Sequence, residues 1–162
     1  MHLHLGQRNR GCYVEGMTTT ELSTAHGMTI VAATDGSRAG AAAVRFAASL
    51  TRLDPLSELI VLNVEGGPSS PSARRVLDLA RRQLRAHPGR VRLEPVHAAE
   101  AAGVPEAISR AGDRFDADLI VVGSEARDTL NEWVVGGTAL RLIYLAKRPV
   151  TVVRAPRRRR AA

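Results

Sequence analysis

Residues 102–124 read AGVPEAISRAGDRFDADLIVVGS, and two periodicities stand back to back in them. Val104, Ala107, Ile108, Ala111 and Phe115 recur at helical spacing, as one buried stripe requires. The strand-length run Asp118–Val122 (DLIVV) is aliphatic from its second residue on, the pattern of a strand covered on both faces. It ends on Gly123-Ser124. A helix that returns the chain to a doubly covered strand is the repeating unit of a parallel sheet.

The same alternation extends outward in both directions. Strand-length aliphatic runs occur at Thr29–Thr34 (TIVAAT), Leu59–Val64 (LIVLNV), Val91–Val96 (VRLEPV) and Val150–Val153 (VTVV). Helical stripes lie between them: Ala43, Phe46, Ala47, Leu50; then Ala73, Val76, Leu77, Ala80, Leu84; then Ala139, Leu142, Ile143, Ala146. Arg74, Arg75, Arg81, Arg82 and Arg85 fall off the second stripe and read as a solvated helix face. Four β-to-α alternations predict an α/β fold, a doubly wound parallel sheet with right-handed crossovers and helices on both faces. The strands beginning at 29, 59 and 118 are expected at its centre. VRLEPV alternates and contains Pro95, which cannot donate to a ladder, so an edge position is predicted. VTVV is short and precedes Arg154 and Pro156; an apolar edge of this kind invites pairing with a second copy.

Composition agrees with one α/β domain. A chain of 162 residues, 44% hydrophobic and only 3% aromatic, suits small helices packed on an aliphatic sheet. No run approaches the ~20 apolar residues that span a bilayer, and no secretory apolar region opens the chain, so a cytoplasmic protein without membrane contact is expected. Cys12 is the only cysteine and cannot pair within the chain. His2 and His4 lack further ligands, and no metal site is expected.

The net charge of +7 includes Arg157–Arg160; without those four, seven less four leaves +3. The run has no interleaved aromatic residue for base stacking, and nucleic acid is not expected as a partner. Residues 157–162 read as a basic disordered tail and residues 1–27 as a disordered N-terminal extension, leaving a domain at 28–156. Met17 and Met28 are internal candidates for the start of the working protein, Met28 directly preceding the first strand.

In an open parallel sheet, ligands bind beyond the carboxyl ends of the strands. Two such ends carry suitable chemistry. Asp35-Gly36-Ser37 follows the first strand, with Ser37 placed to cap the next helix. Gly123-Ser124 follows the fourth, and Gly136-Gly137 opens the last helix. Glycines let a backbone approach an anion, and helix N-terminal amides donate to it. The same residues are also an ordinary strand-to-helix turn and a close-packing device, and both readings stand at this level.

The turn VAATDGS, the segment AGVPEAISRAGDRFDADLIVVGS and the close AKRPVTVV, in this order, resemble the universal stress protein family over Met28–Pro156. The resemblance implies a five-stranded sheet of order 3-2-1-4-5, a homodimer built on the fifth strand, a role in stress adaptation with a further protein partner, and no catalysed reaction. ATP-binding members carry Gly, two residues, Gly, nine residues, Gly, then Ser or Thr. Laid on this chain, those positions are Gly123, Ala126, Gly136 and Gly137: the spacing is intact and two of the four identities are not. The resemblance also places Asp35 near a ribose and Val64 beside an adenine; Gly36, Ser37 and Ser124 at the strand ends, with Arg127 and Thr138, complete the candidate binding residues.

Each departure has a physical weight. Ala126 costs on the order of 1 kcal/mol if its backbone must be left-handed. Gly137 lacks a hydroxyl donor, worth about 1.5–3 kcal/mol against a charged oxygen; Thr138 offers one a position later. Asp128 and Glu132 oppose a triphosphate unless they hold a divalent cation such as Mg2+, and Arg127 offsets them in part. Trp133 reads as packing. ATP affinity is thereby expected to fall by roughly one to three decades below that of an intact motif. The function expected is a dimeric stress-adaptation regulator with weak or lost binding of ATP or AMP. The alternatives are an ATP- or AMP-binding energy sensor with a working phosphate loop and, behind it, a slow ATPase.

Overall fold

The computed structural model describes residues 27–65, 72–98, 103–125 and 136–155. Five strands and four helices alternate among them: β1 (Thr29–Ala33), α1 (Arg38–Thr51), β2 (Glu58–Glu65), α2 (Ala73–Gln83), β3 (Arg90–His97), α3 (Gly103–Arg114), β4 (Leu119–Ser124), α4 (Gly137–Leu145) and β5 (Val150–Arg154). The strands form one sheet of order β3-β2-β1-β4-β5, every pair parallel. β1 is central, with Ile30 opposite Leu59 on one side and Leu119 on the other. The predicted topology is the observed one.

Alternation within the covered strands divides the core in two. Ile30, Ala32, Leu59, Val61 and Val121 face α1 and α2, where Ala43, Val44, Ala47, Leu77 and Ala80 meet them. Val31, Ile60, Leu62, Ile120 and Val122 face α3 and α4, against Ile108, Ala111 and Leu142. Alanines on the helix stripes bring the helix axes close to the sheet, which explains how so aliphatic a core fills without aromatic residues. Gly112 goes further: a β-carbon there would lie 2.6 Å from Ile120 Cδ1.

Polar groups fix the ends of these elements. Asp118 Oδ2 accepts from Thr29 N at 2.8 Å, tying the start of β1 to the entry of β4. Glu65 Oε1 accepts from Ala73 N at 2.8 Å and so satisfies an open amide at the head of α2. Arg148 holds the turn into β5 to the end of α3, with Asp113 at 3.2 Å and Asp116 at 2.8 Å.

β3 is an edge strand, as Pro95 predicted, with Pro95 opposite Asn63 of β2. The five arginines on and just after α2 are all exposed. Two stripe residues depart from expectation. Phe46 is 38% exposed and Ile143 is 46% exposed. On α1 the close approach of Ala43 and Ala47 leaves the larger ring at the rim. On α4 only Ala139 and Leu142 are buried, since this helix covers the β4–β5 margin and has no helix beyond it. Leu140, Ile143, Tyr144 and Leu145 consequently face outward. No helix among the described residues is long and apolar enough to cross a membrane.

Candidate functional site

The chain leaves β1 toward the α1 face and leaves β4 toward the α4 face, so neighbouring connections diverge. The crevice opened at such a switch point is where open α/β sheets bind ligands. Here it is a cavity of about 370 Å3 at the carboxyl ends of β1, β2 and β4. Thr34, Asp35 and Ser37 line it from the β1–α1 turn, Asn63 and Val64 from β2, Val104 and Ile108 from α3. Gly123, Ser124, Gly136, Gly137 and Thr138 line the opposite side.

The β1–α1 turn is self-satisfied. Ser37 Oγ accepts from Gly40 N at 3.1 Å, the predicted N-cap, and Asp35 Oδ1 accepts from Ser37 N at 2.9 Å. Gly36 adopts φ +82°, where a side chain would be strained, and its amide donates to Thr34 Oγ1 at 3.2 Å. Gly36 therefore shapes the turn, and it does not line the cavity. Asp35 lies on the cavity rim.

The glycines of the motif play different parts. Gly123 lies inside β4, and a β-carbon on it would run into the Ala39 backbone and lie 2.7 Å from Gly40 N. This glycine is needed for α1 to pass, whatever the cavity holds. Around Gly137, by contrast, no described residue lies within 4 Å of where a β-carbon would be. Gly136 N donates to Ser124 Oγ at 3.1 Å, so one amide at the head of α4 is already engaged by a buried hydroxyl. α4 has no side-chain cap and no acidic residue in its first turn, which leaves the amides of that turn to attract an anion. Ala126, Arg127, Asp128, Glu132 and Trp133 lie outside the described residues.

Asp35 and Glu125 are the charged groups among the described lining residues, and both are acidic. Among the described lining residues, positive potential comes from backbone dipoles alone. No cluster of His, Cys, Asp and Glu suited to a metal ion occurs among the described residues. His97 is a surface residue, its Nδ1 2.9 Å from Glu65 Oε2.

Sequence reasoning passed over Thr34 and Asn63. Asn63 left a usable signal: it is the one amide in the otherwise aliphatic run LIVLNV, at the strand end where ligands bind. It is 3% exposed. Its Nδ2 donates to Thr34 O at 2.7 Å, while its Oδ1 is buried without a partner.

A doubly wound sheet of this order, with a glycine-lined crevice between β1 and β4, defines the class of open α/β domains whose ligand crevice lies at the switch point. Within that class the chain belongs to the universal stress protein family, whose family model matches residues 28–154. No curated protein matches it. Similar solved structures include a universal stress protein in complex with cAMP, 21% identical, with a TM-score of 0.62 over 81% of this chain and 99% of that one. A universal stress protein from Archaeoglobus fulgidus is 25% identical, with a TM-score of 0.62 over 78% of this chain and 93% of its own. An Arabidopsis thaliana family member with AMP bound is 13% identical, with a TM-score of 0.60 over 80% and 92% of the two chains.

Proposed function

We propose that residues 28–156 act as a stress-adaptation regulator that binds an adenine mononucleotide weakly at the ends of β1, β2 and β4, with little preference for ATP. The observation that carries this reading is the asymmetry of the cavity. Its β2 side keeps an apolar wall of Val64, Val104 and Ile108 that suits a purine ring. Its α4 side has no hydroxyl at Gly137, and its Gly136 amide is engaged by Ser124. A single phosphate still finds the open amides of the first α4 turn. The β- and γ-phosphates of ATP find fewer donors and, in Asp35 and Glu125, like charge. Solved family members with cAMP and with AMP bound support an adenine ligand.

Isothermal titration with AMP and with ATP plus magnesium tests the reading. The expected result is micromolar or weaker binding of AMP and no tighter binding of ATP. No heat with either ligand at high micromolar protein would sink it, as would ATP binding a hundredfold tighter than AMP.

The chain is read as a binding protein rather than an enzyme, since no lining side chain among the described residues is paired as nucleophile and base. A homodimer through β5 is part of the proposal. β5 is an edge strand among the described residues, and beside it α4 exposes Leu140, Ile143, Tyr144 and Leu145, with Tyr144 81% exposed. Sedimentation equilibrium of the full chain is expected to give twice the 17.4 kDa monomer mass.

A further inference from the structure

Exposed arginines gather on one layer of the molecule. Arg38, Arg45 and Arg52 recur every seven residues along α1, so they lie on one line at intervals of about 10.5 Å. On α2, Arg74 and Arg81 repeat at the same interval, as do Arg75 and Arg82, and Arg85 follows the helix. Both helices cover the same face of the sheet, and Gln83 Nε2 donates to Ala41 O at 2.8 Å, which fixes one against the other. The two sets of arginines are therefore neighbours. Residues 38–52 contain no acidic residue, and residues 73–85 only Asp78. Arg45, Arg52 and the five arginines on and just after α2 make no ion pair among the described residues. On the opposite layer, by contrast, Arg141 pairs with Glu106, and Arg148 with Asp113 and Asp116.

Like charges held side by side repel, and an anion laid across them removes that cost. The array runs for about 20 Å along α1 and spans two helices, which suits a polymer of evenly spaced anions better than one small ligand. We propose that α1 and α2 form a sequence-independent docking surface for the phosphate backbone of duplex DNA. Guanidinium forks match phosphate oxygens two at a time. Along about 20 Å a duplex presents roughly a dozen phosphates, about half of them toward the protein. The two helices expose one aromatic ring, Phe46, too few for the stacking platform that single strands use. Their apolar stripes are spent on the sheet, which leaves no apolar face to enter a bilayer. The surface is almost wholly donors, with Ser49 and Gln83 committed to backbone carbonyls, and so offers little to the 2′-hydroxyls of duplex RNA. The expectation against nucleic acid concerned Arg157–Arg160; the folded arginines are a separate set that only the packing of α1 beside α2 brings together.

Fluorescence anisotropy of a labelled duplex of about 20 bp with the full chain tests the proposal, at salt from 50 to 200 mM. Wild type is expected to bind in the micromolar range at 50 mM salt, with about four to six phosphates engaged and a log–log salt slope of about −4 to −5. Replacing Arg45, Arg75 and Arg82 together by alanine should weaken binding at least tenfold and flatten the slope by about 3, whereas alanine at Arg157–Arg160 should do less. In wild-type protein, amide resonances of α1 and α2 should shift as DNA is added, a readout that needs no variant to fold. Absence of binding at 50 mM salt overturns the proposal. So do shifts confined to the terminal run, or a triple variant that binds like wild type. Tighter binding of poly-L-glutamate or of phosphatidylserine vesicles than of the duplex also overturns it, because the surface then serves an acidic protein or a membrane.

Discussion

The backbone of Ala39 occupies the space that a β-carbon on Gly123 would need. The first glycine of the phosphate motif is thus held in place by helix packing, and its presence says nothing by itself about a ligand. Gly123→Ala forces α1 away from β4, and a destabilisation of about 3 kcal/mol is expected from overpacking against backbone atoms. Urea unfolding measures it. A variant as stable as wild type would mean that α1 can shift freely at its N-terminus.

Gly137 is the opposite case, with no described residue near where its β-carbon would stand. Gly137→Ser restores the hydroxyl without a clash, and one hydrogen bond to a charged oxygen is worth about 1.5–3 kcal/mol. AMP affinity should therefore rise about tenfold to a hundredfold in calorimetry. An unchanged affinity would show that the phosphate does not reach the head of α4.

Ser37 caps α1 through the Gly40 amide. Ser37→Ala should cost about 1 kcal/mol, lowering the thermal midpoint by about 4 °C in a domain of this size. If the same variant also loses AMP binding by far more than its stability change explains, Ser37 contacts the ligand as well as the helix.

His87 lies against Thr51, its Nε2 3.3 Å from Thr51 Oγ1. Burial, and secondarily the nearby Arg52 charge, hold its pKa below the ordinary 6.5. The folded protein therefore resists protonation more than the unfolded chain does. The His87 contribution to stability is fully present above pH 6.5 and is lost as pH falls through the lower folded value. Taking the pH from 7.5 to 5, wild type should lose more thermal stability than His87→Gln. Parallel pH profiles for the two proteins would contradict this.

Much of the fold was legible because the signals are local and redundant. The period of four helical stripes and five aliphatic runs specifies element type, and alternation together with Pro95 places VRLEPV at an edge. The exposure of Phe46 and Ile143 was not legible, because the width of a buried stripe depends on how closely the helix approaches the sheet. Alanine spacing narrowed that contact on α1, and position at the sheet margin narrowed it on α4. At the site, the motif spacing pointed to Gly123, Gly136 and Gly137 but could not say why each is glycine. The role of Gly36 was likewise conformational: its φ of +82° makes the turn, and other residues line the cavity.

The amino-acid sequence by itself determined the alternating α/β order, the parallel sheet and the broken identity of the phosphate motif, since these are matters of period and residue type along one chain. Tertiary structure alone decided which glycine serves packing and which does not, and that Ser124 occupies the Gly136 amide. It also decided that Asn63 ends as a buried acceptor with its amide nitrogen committed to Thr34. Those facts depend on distances between β1, β2, β4 and the heads of α1 and α4, elements up to a hundred residues apart, which no local pattern encodes.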